Sequence, residues 1–381
     1  MRAHRNVPIS LPSMGEEEWQ ALRDPVFSGW VTQGPRVAAF EEAFAARHGV
    51  RHAIAVSSAT TGLHLALIAL GIQPGDEVIV PAFTWVATAN VVLYCGATPV
   101  FVDVDRESFN LTVEQVARRL TSRTRAVIPV HLFGLCADID ALRASLPPRV
   151  AILEDAACAA GASYNGRSAG GLGDVAVFSF HPRKSITTGE GGMITTDRDD
   201  LAAPMRRLRN HAASISEEAR HEGPRPYLLP AFDELGFNYR MTDLQGAVGL
   251  VQLGKLDRFI EERARGAAWY RRELADLEWL RLPGEPANGR HAWQAFVTYV
   301  DPERAPAGRN ELMEQLQALG VSTRPGTHAL HMLGYYRKRF GLDADDYPAA
   351  RDCGSQSMAI PLHNRMTEED YAHVAAALHD L

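Results

Sequence analysis

Lysine is scarce in this 381-residue chain: Lys184, Lys255 and Lys338 are the only three. Lys184 stands in FSFHPRKSITTGEGG, downstream of the acidic pair Glu154 and Asp155 in ILEDAACAAG. A lysine that forms a Schiff base needs a fixed, partly desolvated amine, and a pyridine ring used as an electron sink needs an anion facing its nitrogen. Lys184 and Asp155 are the residues that suit those two roles. Taken alone, Lys184 would read as a solvated loop lysine and Asp155 as a buried carboxylate held by backbone donors. Glu154, one residue earlier on the same strand, should face the opposite side and reads as structural.

Three further places could serve the same chemistry. SSATTG (Ser57 to Gly62) lies between a strand and a helix, where small residues let backbone N–H groups approach an anion and where Thr60 and Thr61 carry hydroxyl donors; a plain helix N-cap is the other reading. Trp85 follows the strand in VPAFTW, at an edge where α/β sheets place ligands, so its indole could lie on an aromatic ring or simply belong to the core. Ser179 ends the strand before Lys184 and could donate to the same anion or cap the turn.

These residues need a scaffold, and the chain has one. From residue 50 onward β-branched runs alternate with helical patterns: HAIAV, EVIVPAF, PVFVDVD, RAVIPVHLFG, AILEDAA, DVAVFSF and GGMITT read as strands of one buried, mostly parallel sheet. A polar, proline-containing segment from Ala213 to Pro230 reads as a loop and possible lid. Beyond it come a long helical pattern and an α+β tail. The organisation is a large α/β domain over 1–255 and a smaller C-terminal α+β domain over 256–381. Apolar residues make up 46% of the chain, ample for such cores. The net charge of −7 is spread along the sequence, so neither a nucleic-acid partner nor a membrane surface is expected. Cys95, Cys136, Cys158 and Cys353 form no CxxC pair, and the N-terminus lacks a signal-peptide core; no metal site is expected, and a cytoplasmic location is. Val78 to Val102 carries no charge, yet Pro81, Thr84, Thr88, Asn90, Gly96 and Pro99 argue for strand, turn, helix and strand instead of a membrane span.

The segments GWVTQGPRVAAFEEAFAARHGV, SSATTGLHLALIALG, GDEVIVPAFTWVATANVVLYCGATPVFVDVD, EDAACAAGA, FSFHPRKSITTGEGG and LGFNYRMTDLQGAVGLVQL resemble the DegT/DnrJ/EryC1/StrS family of sugar aminotransferases. The resemblance is strongest from Gly29 to Leu253. It implies a fold-type I, pyridoxal 5'-phosphate-dependent transferase. By it, Lys184 matches the Schiff-base lysine, Asp155 the partner of the pyridine nitrogen and Trp85 the ring-stacking aromatic. Thr60 and Ser179 match phosphate ligands, and Asn238, in GFNYR, matches an asparagine that serves the site of a partner subunit. A homodimer with shared active sites is therefore implied. Three positions depart from the family pattern. Cys158 stands where glutamine or histidine is common near the ring hydroxyl, Ala59 replaces a glycine of the phosphate turn, and Ala212 replaces the glycine of LRNHG.

The same resemblance implies L-glutamate as donor and a nucleotide-linked keto-sugar as acceptor, with Lys184 shuttling a proton between the donor's α-carbon and the cofactor. H-x-x-K-x-x-T-x-x-E-G-G resembles members that aminate C4 of 4-keto sugars. A cyclitol ketone such as an inosose, another small carbonyl compound or a 3-keto sugar is the alternative acceptor. A sugar 3-dehydratase of the same fold would carry histidine in place of Lys184, and a regulator without turnover would be expected to lose Asp155 or Lys184. Arg240, His328 and His331 are possible substrate contacts.

Overall fold

The computed structural model describes residues 5–215, 220, 223–225 and 227–381. Its centre is a seven-stranded sheet in the spatial order His52–Val56, Gly192–Thr196, Val175–Ser179, Ala151–Asp155, Thr124–Val127, Glu77–Pro81 and Thr98–Val102. Only Gly192–Thr196 runs antiparallel to its neighbours. All seven strand-like runs of the sequence become strands of this sheet. The two faces separate by side-chain alternation: Ile54 and Val56 pack with Leu63, Val177 and Ile194 on one side. Ala53 and Ala55 pack with Phe40, Phe44, Phe178 and Met193 on the other. Helices therefore cover both faces, as a buried parallel sheet requires.

The charge-free stretch from Val78 to Val102 folds as expected, into strand, the two-residue strand Phe83–Thr84, helix Val86–Tyr94 and strand Thr98–Val102. Among the described residues no helix is long and apolar enough to cross a membrane.

The C-terminal part has its own antiparallel sheet of Leu280–Arg281, Phe296–Val300 and Ser357–Ile360. Its core holds Tyr270, Trp293, Phe296, Leu312, Leu316, Val374 and Leu378. Val7 joins that core and bridges Val321, so the N-terminal strap packs with residues more than 300 positions away. The expected division at 255/256 falls inside the unbroken helix Asp243–Glu273. That helix gives Leu253, Leu256 and Ile260 to the core under the large sheet and Ala267 and Tyr270 to the C-terminal core. It starts with a capping box, Thr242 Oγ1 accepting from the Gln245 amide. Its first residue, Asp243, also accepts the Arg36 and Val37 amides at 3.0 and 2.9 Å, capping helix Pro35–His48.

Candidate active site

The register of the sheet brings the chemistry-bearing turns to one edge. Val56 pairs with Gly192 and Gly192 with Ser179, while Asp155 pairs with Val177. The carboxyl ends of His52–Val56, Val175–Ser179 and Ala151–Asp155 therefore lie side by side, where doubly wound sheets bind ligands.

Asp155 and Glu154 show how neighbours on a strand take opposite tasks. Glu154 is fully buried and accepts from His131 Nε2 at 2.9 Å and from the amides of Gly170, Leu172 and Gly173 at 2.9, 2.8 and 2.7 Å. His131 Nδ1 accepts the Ala137 amide, so the ring donates through Nε2. Burial pushes the Glu154 carboxyl up, but His131 and the backbone donors outweigh it and hold the group below the usual carboxylate range. Glu154 is thus a pin that fixes the strand end. Asp155 faces the edge and is also buried, yet it has fewer donors: Thr88 Oγ1 at 2.8 Å and the Ala157 amide at 3.2 Å. Burial raises its carboxyl above the ordinary value, against the pull of those donors and of the Lys184 charge. A carboxylate in that state favours a cationic partner.

Thr88 was not singled out in the sequence. It sits on helix Val86–Tyr94, where a lone threonine in an apolar helix reads as core; its hydroxyl also meets Thr84 Oγ1 at 3.2 Å. Because the carboxylate only accepts, Thr88 donates to Asp155 and accepts from Thr84. Thr84, Trp85 and Thr88 span little more than one helical turn, a spacing that could have flagged the group.

Lys184 lies in a tight turn after Phe180. Its amide donates to the His181 carbonyl at 2.8 Å, and Thr187 Oγ1 closes the loop on the Phe180 carbonyl at 2.7 Å. His181 caps the turn through Nδ1, which accepts the Arg183 amide at 3.2 Å. Lys184 Nζ donates to Cys158 Sγ at 3.1 Å, so the two side chains meet over the Asp155 strand end.

The end expected to meet an anion is the start of helix Ala59–Ala69. Ser58 caps it by accepting the Thr61 amide, and Thr61 Oγ1 turns back to the Ser58 carbonyl at 2.8 Å. Thr61 is thereby spent on the cap, which corrects the expectation that both threonines donate outward. Ala59 and Thr60 open the helix, where amides have no intrahelical acceptor. Ala59 needs no glycine, since it adopts ordinary helical backbone. Glycine matters at position 192: a Cβ there would stand 2.7 Å from the Ala59 amide nitrogen and 2.9 Å from the Phe178 carbonyl. Its absence lets the sheet edge close against the helix start. The Ser179 hydroxyl, at the adjacent strand end, accepts a long bond from the His181 amide at 3.4 Å.

Trp85 is 55% exposed, unusual for an indole beside a buried sheet, and packs edge to face with His328 at 5.3 Å. His328 is held there by pairing with Thr84. His331 is fully buried, with Nε2 near the Ala344 carbonyl at 3.3 Å, and is a core residue. Asn238 is exposed on a segment that bridges Asn210, next to Tyr239, whose carbonyl accepts the Ser57 amide at 2.9 Å. Arg240 donates to Asn210 Oδ1 at 2.8 Å. The segment 213–230 expected as a loop lies partly outside the described residues. An amine, a carboxylate poised for a cationic partner, a helix start whose Ala59 and Thr60 amides have no intrahelical acceptor, and an exposed indole fit an anionic pyridine cofactor.

The family model of the DegT/DnrJ/EryC1/StrS aminotransferase family matches residues 12–379. The chain is 41% identical over 375 residues to GDP-perosamine synthase of Caulobacter vibrioides, covering 98% of this chain and 97% of that protein. The X-ray structure of the aminotransferase from Psychrobacter cryohalolentis superposes with a TM-score of 0.92 at 30% identity, covering 98% of each chain. Spr1654 from Streptococcus pneumoniae in its PLP-form superposes at 0.90 and 26% identity, covering 99% of this chain and 100% of that one. This chain belongs to the DegT/DnrJ/EryC1/StrS aminotransferase family and is a pyridoxal-phosphate-dependent sugar aminotransferase.

Proposed function

We propose that the enzyme moves the amino group of L-glutamate onto C4 of a nucleotide-linked 4-keto sugar, with a GDP-linked sugar as the acceptor class. The observation that carries the reading is that Lys184, bonded to Cys158, lies close enough for its charge to act on a buried, sparsely donated Asp155, near the start of helix Ala59–Ala69. The GDP linkage rests on the 41% identity to GDP-perosamine synthase. The choice of C4 rests on His181, Lys184, Thr187, Glu190, Gly191 and Gly192, the motif form that resembles C4-aminating members.

Pyridoxal phosphate, when bound, supplies an exchangeable carbonyl carbon and a ring that takes up an electron pair. In this reading Lys184 would hold the cofactor, and its amine would carry the proton to and from the donor's α-carbon. Asp155 keeps the ring nitrogen protonated, and that cation in turn compensates a carboxylate whose burial resists ionisation. The Ala59 and Thr60 amides with the Ser179 hydroxyl hold the phosphate, and Trp85 covers the ring. Cys158 faces Lys184 near the ring hydroxyl. The enzyme acts as a homodimer in which Asn238 serves the phosphate of a second copy. Exposed apolar side chains including Trp19, Phe27, Leu229 and Leu235 support a covered face.

The test is the visible spectrum of the enzyme with pyridoxal phosphate, before and after L-glutamate, with Lys184→Ala alongside, followed by turnover of GDP-, dTDP- and UDP-linked 4-keto sugars, a 3-keto sugar and an inosose. Bleaching by glutamate in the wild type only, and preference for the GDP-linked 4-keto sugar, are expected. Exclusive turnover of the inosose or the 3-keto sugar would sink the acceptor assignment.

A further inference from the structure

The contact between Lys184 Nζ and Cys158 Sγ, at 3.1 Å, places two nucleophiles against each other. The sulfur is flanked by Ala156, Ala157, Ala159 and Ala160, so little side-chain bulk stands around it, and it is partly exposed. The other three thiols differ. Burial raises Cys95 to about 11 and Cys353 to about 12, and raises Cys136 further still, which keeps them protonated and inert at neutral pH. Of the other lysines, Lys255 is occupied by Glu17 and Glu18 at 2.9 and 2.7 Å. Cys158 is the thiol that meets a lysine amine.

We propose that Cys158 and Lys184 form a peroxide-sensitive modification site, in which oxidised Cys158 is captured by Lys184 as a covalent sulfur–nitrogen bond. The Cys158 thiol, its proton taken up by the amine, attacks one oxygen of hydrogen peroxide. The O–O bond breaks, the departing hydroxide takes that proton back from the ammonium and leaves as water, the amine regains its lone pair, and the sulfur is oxidised by two electrons to a sulfenic acid. The Lys184 nitrogen then attacks the sulfur with its lone pair; the S–O bond breaks and the hydroxyl departs with a nitrogen proton as a second water. Overall one peroxide is consumed, two waters form, and the pair loses two hydrogens. The flexible four-carbon stem of lysine closes the remaining gap. A small thiol reverses the bond by attacking the sulfur: it frees the amine and forms a mixed disulfide, from which a second thiol equivalent releases Cys158.

The bond can form only while the amine is uncommitted, in cofactor-free enzyme or after the amino group has passed to the cofactor. That timing rests on the assignment of Lys184 above; the cross-link itself does not. Cofactor-free and pyridoxal-phosphate-loaded protein should be treated with hydrogen peroxide, digested and mapped by mass spectrometry. The expected product is a peptide pair joined between residues 158 and 184, lighter by ~2 Da than the sum of its parts, absent in Cys158→Ser and removed by dithiothreitol. Loaded enzyme should cross-link at least about tenfold more slowly, since its lysine is engaged. Oxygen adducts on Cys158, ~16 or ~32 Da heavier, without any bond to Lys184 would overturn the proposal. Equal cross-linking with and without cofactor would uphold the pair and instead count against Lys184 as the cofactor lysine.

Discussion

Replacing Thr88 by valine removes one hydroxyl at nearly constant volume and leaves Asp155 with the Ala157 amide, at 3.2 Å, as its remaining donor. A hydrogen bond to a charged group contributes about 1.5–3 kcal/mol, so losing it should push the Asp155 carboxyl further up. It already stands above its ordinary value because burial opposes the charge. A more basic carboxylate competes with the ring nitrogen for its proton, which should slow the glutamate half-reaction about three- to tenfold if half of the lost energy reaches the barrier. Thr84 loses its acceptor too, and a buried orphan hydroxyl costs about 1–3 kcal/mol of stability. Stopped-flow bleaching of the cofactor by glutamate reads the first effect and urea unfolding the second. Thr88→Ser keeps the donor and should stay within about threefold of wild type, losing only one buried methyl. Equal slowing in the serine and valine variants would show that volume, not the hydroxyl, matters, and the relay from Thr84 to Asp155 would have to be given up.

Gly192→Ala places a methyl 2.7 Å from the Ala59 amide nitrogen, so pyridoxal phosphate affinity should fall at least about tenfold while affinity for phosphate-free pyridoxal changes little; absorbance titrations of both compare them directly. Ala212 holds a left-handed backbone, φ 60°, which costs a residue with a Cβ about 1–2 kcal/mol. Ala212→Gly should relieve that strain and raise stability by roughly 0.5–1 kcal/mol after its own entropy cost, seen as a higher urea midpoint. His48 stacks on Phe44 at 4.0 Å, and its burial lowers it to about 4. The unfolded chain therefore binds a proton that the folded chain refuses, and stability falls as pH drops below about 6.5, by about 2 kcal/mol at pH 5 from this group alone. His48→Phe should flatten that part of the stability profile between pH 7 and 5; an unchanged slope would assign it elsewhere.

The sheet was legible because each strand is a short β-branched run between helical patterns, and burial on both faces leaves no competing reading for AILED or DVAVFSF. Lys184 stood out through the rarity of its type, and Asp155 through its place at a strand end among alanines. Thr88 was hidden because its partner lies 67 residues away and a threonine carries no periodic signal. The donors to Glu154 were hidden for the same reason: three are backbone amides of residues 170–173, invisible to residue type. The division expected at residue 255 shows the limit of composition, since one helix serves two cores without a break in its pattern.

Asp243 is the first residue of one helix, and its carboxylate caps another, Pro35–His48. The GWVTQGPRV and NYRMTDLQ segments, some 200 residues apart, are thus halves of one joint. For recombination among related enzymes this sets a rule of inheritance: a chimera that takes residues 29–37 from one parent and 238–245 from another inherits mismatched halves. Crossovers should keep both segments from the same parent, even when the breakpoint between them falls in an innocuous loop.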